Sequence, residues 1–300
     1  MAVDQLILGT FTECFRKYFR DELVIGKLAH SEFKNGVNKG DEVDVIMPGM
    51  VNMFDYDGEG DLPDAELVTT SATKVRIDRG RGFHFELKDI QKKQIENAPD
   101  LKQKVNIVKE YTQDAISQFA AYVDKAYADL YPRAGHKLDN NGSAIALSAT
   151  NVRDILAYMQ AVFKRGDGKG HTNWIDGKMI AIVPPEFQFF LGKIQDLGNV
   201  ESGHRKMEKG FVGRVSGWDI MVSNNVASTT DSGTTTYYPL FGIKGKTLAG
   251  GISSDLNTKA YEPEKNFNTR YKGYGLFGVG APRVDFLGTA KVSATMSIGQ

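Results

Sequence analysis

The densest cluster of potential ligands in the sequence is DYDGEGDLPDAE, residues 55–66. Asp55, Asp57, Glu59 and Glu66 stand at the first, third, fifth and twelfth positions of a calcium-loop pattern, with the turn glycine Gly60 sixth and Leu62 eighth. Hard oxygen ligands at that spacing offer divalent-cation binding. The flanks argue otherwise, because a calcium loop joins two helices and here strand-like alternation lies on both sides, with Pro48 and Gly49 just upstream. The expectation is a solvated acidic tip without metal, to which Asp61 and Asp64 add charge. Such a tip repels its own copies unless it meets basic groups.

Other possible chemistry has less support. Gly273, Gly275 and Gly278 in GYGLFG match the spacing of a dinucleotide fingerprint, yet VGAPRVDF follows where a helix N-terminus must stand, so close backbone packing is expected and no cofactor. No serine occupies a Gly-x-Ser-x-Gly elbow, Cys14 is the one cysteine, and the five histidines, His30, His84, His136, His171 and His204, form no metal pair at helical spacing. His84 lies between Phe83 and Phe85 and is expected to face away from them. Basic residues interleaved with aromatics in RKYFR and NTRYKGYG could touch nucleic acid by charge and stacking, but equal numbers of basic and acidic residues, 37 each, leave no excess to drive tight binding. No catalytic residue is assigned.

The elements that would carry these residues come next. With 300 residues, 41% of them hydrophobic, the chain can bury a large core as one domain or two interlocked lobes. A lone cysteine suits a reducing compartment. MAVDQLILGTFTECFRKYF lacks the basic start and unbroken apolar core of a signal peptide, and no stretch approaches the roughly 20 apolar residues of a membrane span, so no membrane partner is expected. The acidic residues fall mainly in the first half of the chain, which would let one region of a copy attract a different region of its neighbour.

Residues 1 to about 30 read as an arm with helical pieces, and residues 39–87 as a long two-stranded projection alternating at Val43, Val45, Val75 and Ile77 and again at Phe83, Phe85 and Leu87. After Pro99, apolar residues at Leu101, Val105, Val108, Ala115, Phe119, Val123, Ala126 and Leu130 predict one helix over 100–131, stopped at Pro132. It would span roughly 48 Å. Beyond 145 the pattern is mixed: a helix NVRDILAYMQAVFKR capped by Asn151, a buried strand KMIAIVPPEF, an amphipathic helix ending at Gly198, and a hairpin GRVSGWDIMVSNNV with Trp218 as its packing aromatic. ASTTDSGTTT reads as a surface loop.

In that order the pieces resemble the major capsid protein of tailed bacteriophages, a fold shared with encapsulin compartments. The resemblance runs over nearly the whole chain: an arm, an extended loop opened by KGDEVDV and closed by TKVRIDRGRGFHFELKD, a spine helix ending YVDKAYADLY, and an α/β lobe with MIAIVPPEFQFFL and GFVGRVSGWDIMVSNNV. YGLFGVGAPRVDFLG resembles the strand that returns to the spine. What this implies is an α+β fold divided into an N-terminal arm (1–38), an extended loop (39–87), a spine helix and peripheral domain (88–144), an axial α/β domain (145–265) and C-terminal strands returning to the peripheral domain (266–300).

The resemblance further implies self-assembly through hexamers and pentamers into an icosahedral shell around double-stranded DNA, with portal and scaffolding proteins as partners and the packaged DNA contacted weakly and without sequence preference. The virion would be assembled in the cytoplasm of a host bacterium. Asp55, Asp57, Glu59, Asp61, Asp64 and Glu66 would then lie across a neighbouring copy, while Phe119, Val123 and Trp218 pack the interior. Two other readings stand beside it: an encapsulin-like compartment, and a calcium-binding or α/β enzyme domain.

Overall fold

The computed structural model describes residues 19, 21–34, 39–47, 71–88, 93, 101–165, 178–193, 211–231, 233–253, 257–263 and 268–294. Its longest element is α1, Leu101–Ala128, about 42 Å long at 1.5 Å per residue. The second half of the helix buries a stripe of Ile116, Phe119, Ala120, Val123, Ala126 and Tyr127. The helix ends before the expected stop. Asp129 N–H still donates to the Lys125 carbonyl at 3.0 Å, but Leu130 N–H donates to Tyr127 at 3.1 Å and a 3-10 turn, Tyr131–Arg133, carries Pro132. A proline disfavours α geometry in the residue before it, so the chain tightens there.

A five-stranded sheet lies against α1. Its members are β1 (Ala29–Lys34), β4 (Arg79–Leu87), β13 (Leu248–Ser253), β14 (Asn257–Tyr261) and the twelve-residue β15 (Thr269–Gly280). β15 is central: β4 runs antiparallel to residues 269–277, while β14 and then β13 pair with its other side and β1 extends β13 in parallel. Odd-numbered side chains of β15 turn toward the helix. The Phe277 ring meets Phe119 at 5.9 Å and Tyr122 at 5.7 Å, edge-on in both cases, and Tyr271 stacks on Phe85 at 5.3 Å.

The opposite side of this sheet carries the hairpin of β2 (Glu42–Met47) and β3 (Ser71–Arg76). Gly40 N–H donates to the Ile77 carbonyl at 2.8 Å and Ile77 N–H to Asp41 at 2.9 Å, closing the hairpin root, and Val43 and Ile77 pack there with Leu276. Glycines make the approach possible. A Cβ on Gly278 would collide with the Arg76 carbonyl, and one on Gly250 would collide with the Tyr127 hydroxyl coming from α1. The sheet therefore meets the hairpin backbone directly at Gly278 and makes room for the Tyr127 side chain of the helix at Gly250.

The rest of the chain folds around a six-stranded sheet ordered β5 (His136–Leu138), β16 (Gly288–Ala290), β12 (Leu240–Ile243), β7 (Met179–Val183), β9 (Trp218–Val222), β8 (Phe211–Val215). Both of its faces are covered. Ile180, Ile182 and Met221 join the cluster formed with the end of α1, while Ala181, Val183 and Ile220 pack under α2 (Ala149–Arg165) and α3 (Pro185–Gly192). A smaller sheet, β10 (Ala227–Asp231), β11 (Thr234–Tyr238), β17 (Val292–Ser293) and β6 (Ile145–Ala146), adjoins it.

Several expectations are adjusted by these pairings. Residues 79–87 leave the projecting hairpin and pair along β15, residues 248–253 and 257–261 join the sheet on α1, and residues 288–290 and 292–293 join the sheets around Trp218. α2 starts at Ala149, and its cap is Ser148, whose Oγ accepts the Asn151 N–H at 3.1 Å; Asn151 uses its amide on the Ala146 carbonyl. The ASTTDSGTTT stretch is mostly strand: β10 and β11 pair antiparallel from Ala227 with Tyr238 to Asp231 with Thr234. Threonines favour a pleated strand even at an exposed site.

Candidate interaction surfaces

The residues that suggested chemistry take structural places. Gly273, Gly275 and Gly278 lie inside β15, with no helix following, and their small size serves the stacking of layers. His84 is exposed on β4 and its ring lies parallel to Tyr261, 6.1 Å away, with Nε2 and the tyrosine hydroxyl 3.0 Å apart. His136 packs on Phe163 at 5.5 Å and its Nε2 is 3.0 Å from the Asp285 carbonyl oxygen. His171, His204, Cys14, Gly198 and the whole acidic set Asp55, Asp57, Glu59, Asp61, Asp64 and Glu66 lie outside the described residues. Among the described residues no group of three or more metal-ligating side chains gathers, and no helix is long and apolar enough to cross a membrane.

Trp218 lies fully buried, 0% exposed, where β9 passes under α2. Its indole N–H donates to the Leu156 carbonyl at 2.9 Å and its ring takes Phe163 and Phe241 edge-on at 5.3 and 5.4 Å. The turn that delivers it is Ser216-Gly217, with φ of 47° and 77°, the left-handed pair that a two-residue hairpin needs. Phe119 and Val123 are buried in the separate cluster on α1.

Sequence reasoning missed one buried group, Asp124. Its carboxylate accepts the N–H of Val24 at 2.8 Å and of Gly26 at 2.9 Å, and so pins residues 24–26 onto the spine helix. Burial pushes the acid up to about 6, although these N–H groups, that of Ile25 and the charge of Lys27 pull it down. The available signal was an acid inside an apolar stripe, next to Val123 and four residues after Ala120. A second carboxylate, Glu186, ties α3 to β11 by accepting the Tyr237 hydroxyl at 2.8 Å. Desolvation and that carboxylate raise Tyr237 to about 12.

Among the described residues, an exposed face rich in charged and aromatic groups is the solvent side of β14, β15 and β4. One rung carries Tyr261, Arg270 and Glu86, the next Lys259, Lys272 and His84, and the next Tyr274. Arg270 Nε donates to Glu86 Oε2 at 2.6 Å, Asn268 also donates to that carboxylate, and the pair lowers the Glu86 acid below its usual range. Lys272 Nζ sits 5.0 Å from the centre of the Tyr261 ring. Tyr274 is 48% exposed. Flat aromatics and cations stand side by side on this face.

No protein-family model matches the sequence, and no curated protein matches it. Solved structures do match in fold. The capsid of Ralstonia phage GP4 superposes with a TM-score of 0.65 at 13% identity, covering 94% of this chain and 92% of that one. A structure from Mycobacterium phage Che8 gives 0.60 at 20% identity, with 89% and 90% covered. A virus-like particle from Pyrococcus furiosus gives 0.56 at 11% identity, with 97% and 100% covered. The chain therefore has the phage-capsid fold, shared with that particle.

Proposed function

We propose that this chain, having the phage-capsid fold over almost its full length, is the major capsid protein of a tailed bacteriophage: a structural tile that self-assembles, through hexamers and pentamers, into the icosahedral shell around the genome. The observation that carries the reading is the reciprocal coverage, 94% of this chain and 92% of the GP4 capsid chain. The architecture supports it in physical terms. A two-stranded ribbon such as β2 and β3 is marginal without further contacts, and a helix about 42 Å long exceeds what a compact lobe requires. Both gain partners when copies meet.

In this reading residues 39–76 are the extended loop, with Asp55, Asp57, Glu59, Asp61, Asp64 and Glu66 lying across a neighbour. The α1 helix with its five-stranded sheet is the peripheral domain and the body around Trp218 is the axial domain. The N-terminal arm is anchored by Asp124. Portal and scaffolding proteins would be partners in the virion, and DNA would meet the shell weakly and without sequence preference.

Electron microscopy of the overexpressed protein tests the assignment. Closed shells, tubes or ring-shaped capsomers are expected, and a protein that stays a dispersed monomer at high concentration across salt conditions would refute it. A second reading, an encapsulin-like compartment, has the Pyrococcus particle in its favour. Contents separate the two, since nuclease-protected DNA marks a capsid and an enclosed cargo protein marks a compartment.

A further inference from the structure

We propose that β10 is a docking edge for a second copy of this chain, pairing antiparallel with the β10 of that copy about a twofold axis centred on Thr229. The proposal rests on the reading that copies self-assemble, and adds to it a contact of a defined kind. Among the described residues β10 ends the four-stranded sheet and pairs with β11 alone. An open edge is a template for another strand, and proteins that must stay apart guard it with charge, proline, a bulge or shortness. Other edges here carry such guards: β8 has a register shift between Phe211 and Gly213 and bears Arg214, β4 bears Arg79 and Arg81, β14 bears Lys259, and β6 is two residues long. β10 reads Ala-Ser-Thr-Thr-Asp and is exposed from Ser228 onward, with no register shift, proline or basic residue.

The hairpin is held ready for such a contact. Tyr238 stacks on Tyr131 at 4.0 Å and the Tyr237 hydroxyl donates to Glu186 at 2.8 Å, so the strand is ordered before a partner arrives. Its backbone supplies the bonds. Asp231 and Thr234 close the hairpin with two residues between them, which makes them a hydrogen-bonded pair, and alternation then bonds Thr229 to Thr236 and Ala227 to Tyr238. Ser228 and Thr230 stand at the other rungs, where the Thr230 and Thr235 hydroxyls approach to 3.2 Å, and their own N–H and C=O groups point outward. One register of two such edges uses all of these groups: Ser228 of each copy lies opposite Thr230 of the other, and each of the two pairs exchanges two bonds. Thr229 then meets its own counterpart, a favourable threonine pair, and Asp231 lies opposite Ala227, so no like charges face each other. Four bonds make a small contact, which acts between copies that other surfaces have already gathered. Neighbours around a ring meet head to tail, whereas this contact is twofold, so it joins copies that are not neighbours in one ring.

The test is crosslinking at the axis. In a Cys14→Ser background, Thr229→Cys places two thiols on a non-bonded pair with Cα atoms about 4.5 Å apart, inside the range a disulfide spans, whereas two copies of Ser228→Cys lie about 9 Å apart and outside it. After assembly and mild oxidation, Thr229→Cys should give roughly tenfold more covalent dimer than Ser228→Cys on a non-reducing gel. Particles with no such dimer, or equal dimer from both variants, would overturn the edge pairing and leave the shell assignment standing. A wild-type chain that never assembles would overturn both. A charge exchange then asks whether the partner is the same edge. Thr229→Lys alone and Thr229→Glu alone should each lower particle yield by roughly fivefold, because like charges meet at the axis, and mixing the two chains should restore it. Normal yield from either chain alone would refute the contact, and so would a mixture that fails to recover, which would make the partner of β10 another segment or another protein. Should a charged chain melt early, the cysteine pair decides, since it changes a single exposed hydroxyl residue in each variant.

Discussion

The body around Trp218 and the layered stack on α1 solve the same problem in opposite ways. Around Trp218 both faces of the six-stranded sheet are filled by large side chains from the same copy, and β7 is buried along its whole length. On α1 the sheet is thinned to glycine at Gly250 and Gly278, its hairpin root touches only a small cluster, and its remaining outer face shows cations and tyrosines to solvent. The first region has its sheet covered on both faces by side chains of one chain. The second has unspent surface, and a shell protein would spend it on its neighbours.

Substitutions can break that contrast from either side. The largest effect is expected at Trp218, where truncation to alanine removes an indole packed against two rings and the hydrogen bond it adds at the Leu156 carbonyl, a loss of about 3–5 kcal/mol. Trp218→Ala should lower the chemical-denaturation midpoint and expose amides around β7 and β9 to hydrogen exchange, while amides of β15 exchange less readily. Equal deprotection of both regions would show that they unfold as one unit.

Asp124 gives the next effect, and it depends on pH. Its folded acid titrates near 6 and the unfolded one near 3.8, so the folded chain holds the proton more tightly. The stabilisation from this group is complete below about pH 4 and is lost as pH rises through about 6, a swing of about 3 kcal/mol. Asp124→Asn has no such titration. Between acidic and neutral pH the melting temperature of the variant should gain on that of the wild type by roughly 5 °C. A constant difference would contradict the buried, raised acid.

On the thin side, Gly278→Ala drives a methyl group into the Arg76 carbonyl and should cost about 1–3 kcal/mol, confined to the hairpin root. Hydrogen exchange at Glu42–Met47 and Ser71–Arg76 should rise while the amide of Trp218 stays protected. The smallest change expected is Ser148→Ala, which removes the α2 cap and about 1 kcal/mol, with thermal melting as the check.

What could be read from the sequence follows the range of the interactions. The apolar repeat of α1 and the Ser216-Gly217 turn are local, a few residues long, and each was recognisable before any partner was known. Alternation at Phe83, Phe85 and Leu87 marked a strand but could not say what it pairs with, and its partner β15 lies more than 180 residues away. Asp124 was hidden for the same reason, since the N–H groups that justify a buried acid come from Val24 and Gly26. Asn151 misled because Ser148, three residues earlier, is an equally good cap and the helix takes the first one. The acidic tip was legible as charge alone.

The most direct measurement of whether function lies between copies is gradient sedimentation of the chain in which Asp55 through Asp64 are replaced by a short Gly-Ser turn. Shortening a surface loop changes chain entropy by only about 1 kcal/mol, so the variant should melt like the wild type. It should nevertheless sediment as free chains or small capsomers, with shells absent or fragile. Intact shells of normal stability from that folded variant would contradict the bridging role of the acidic loop.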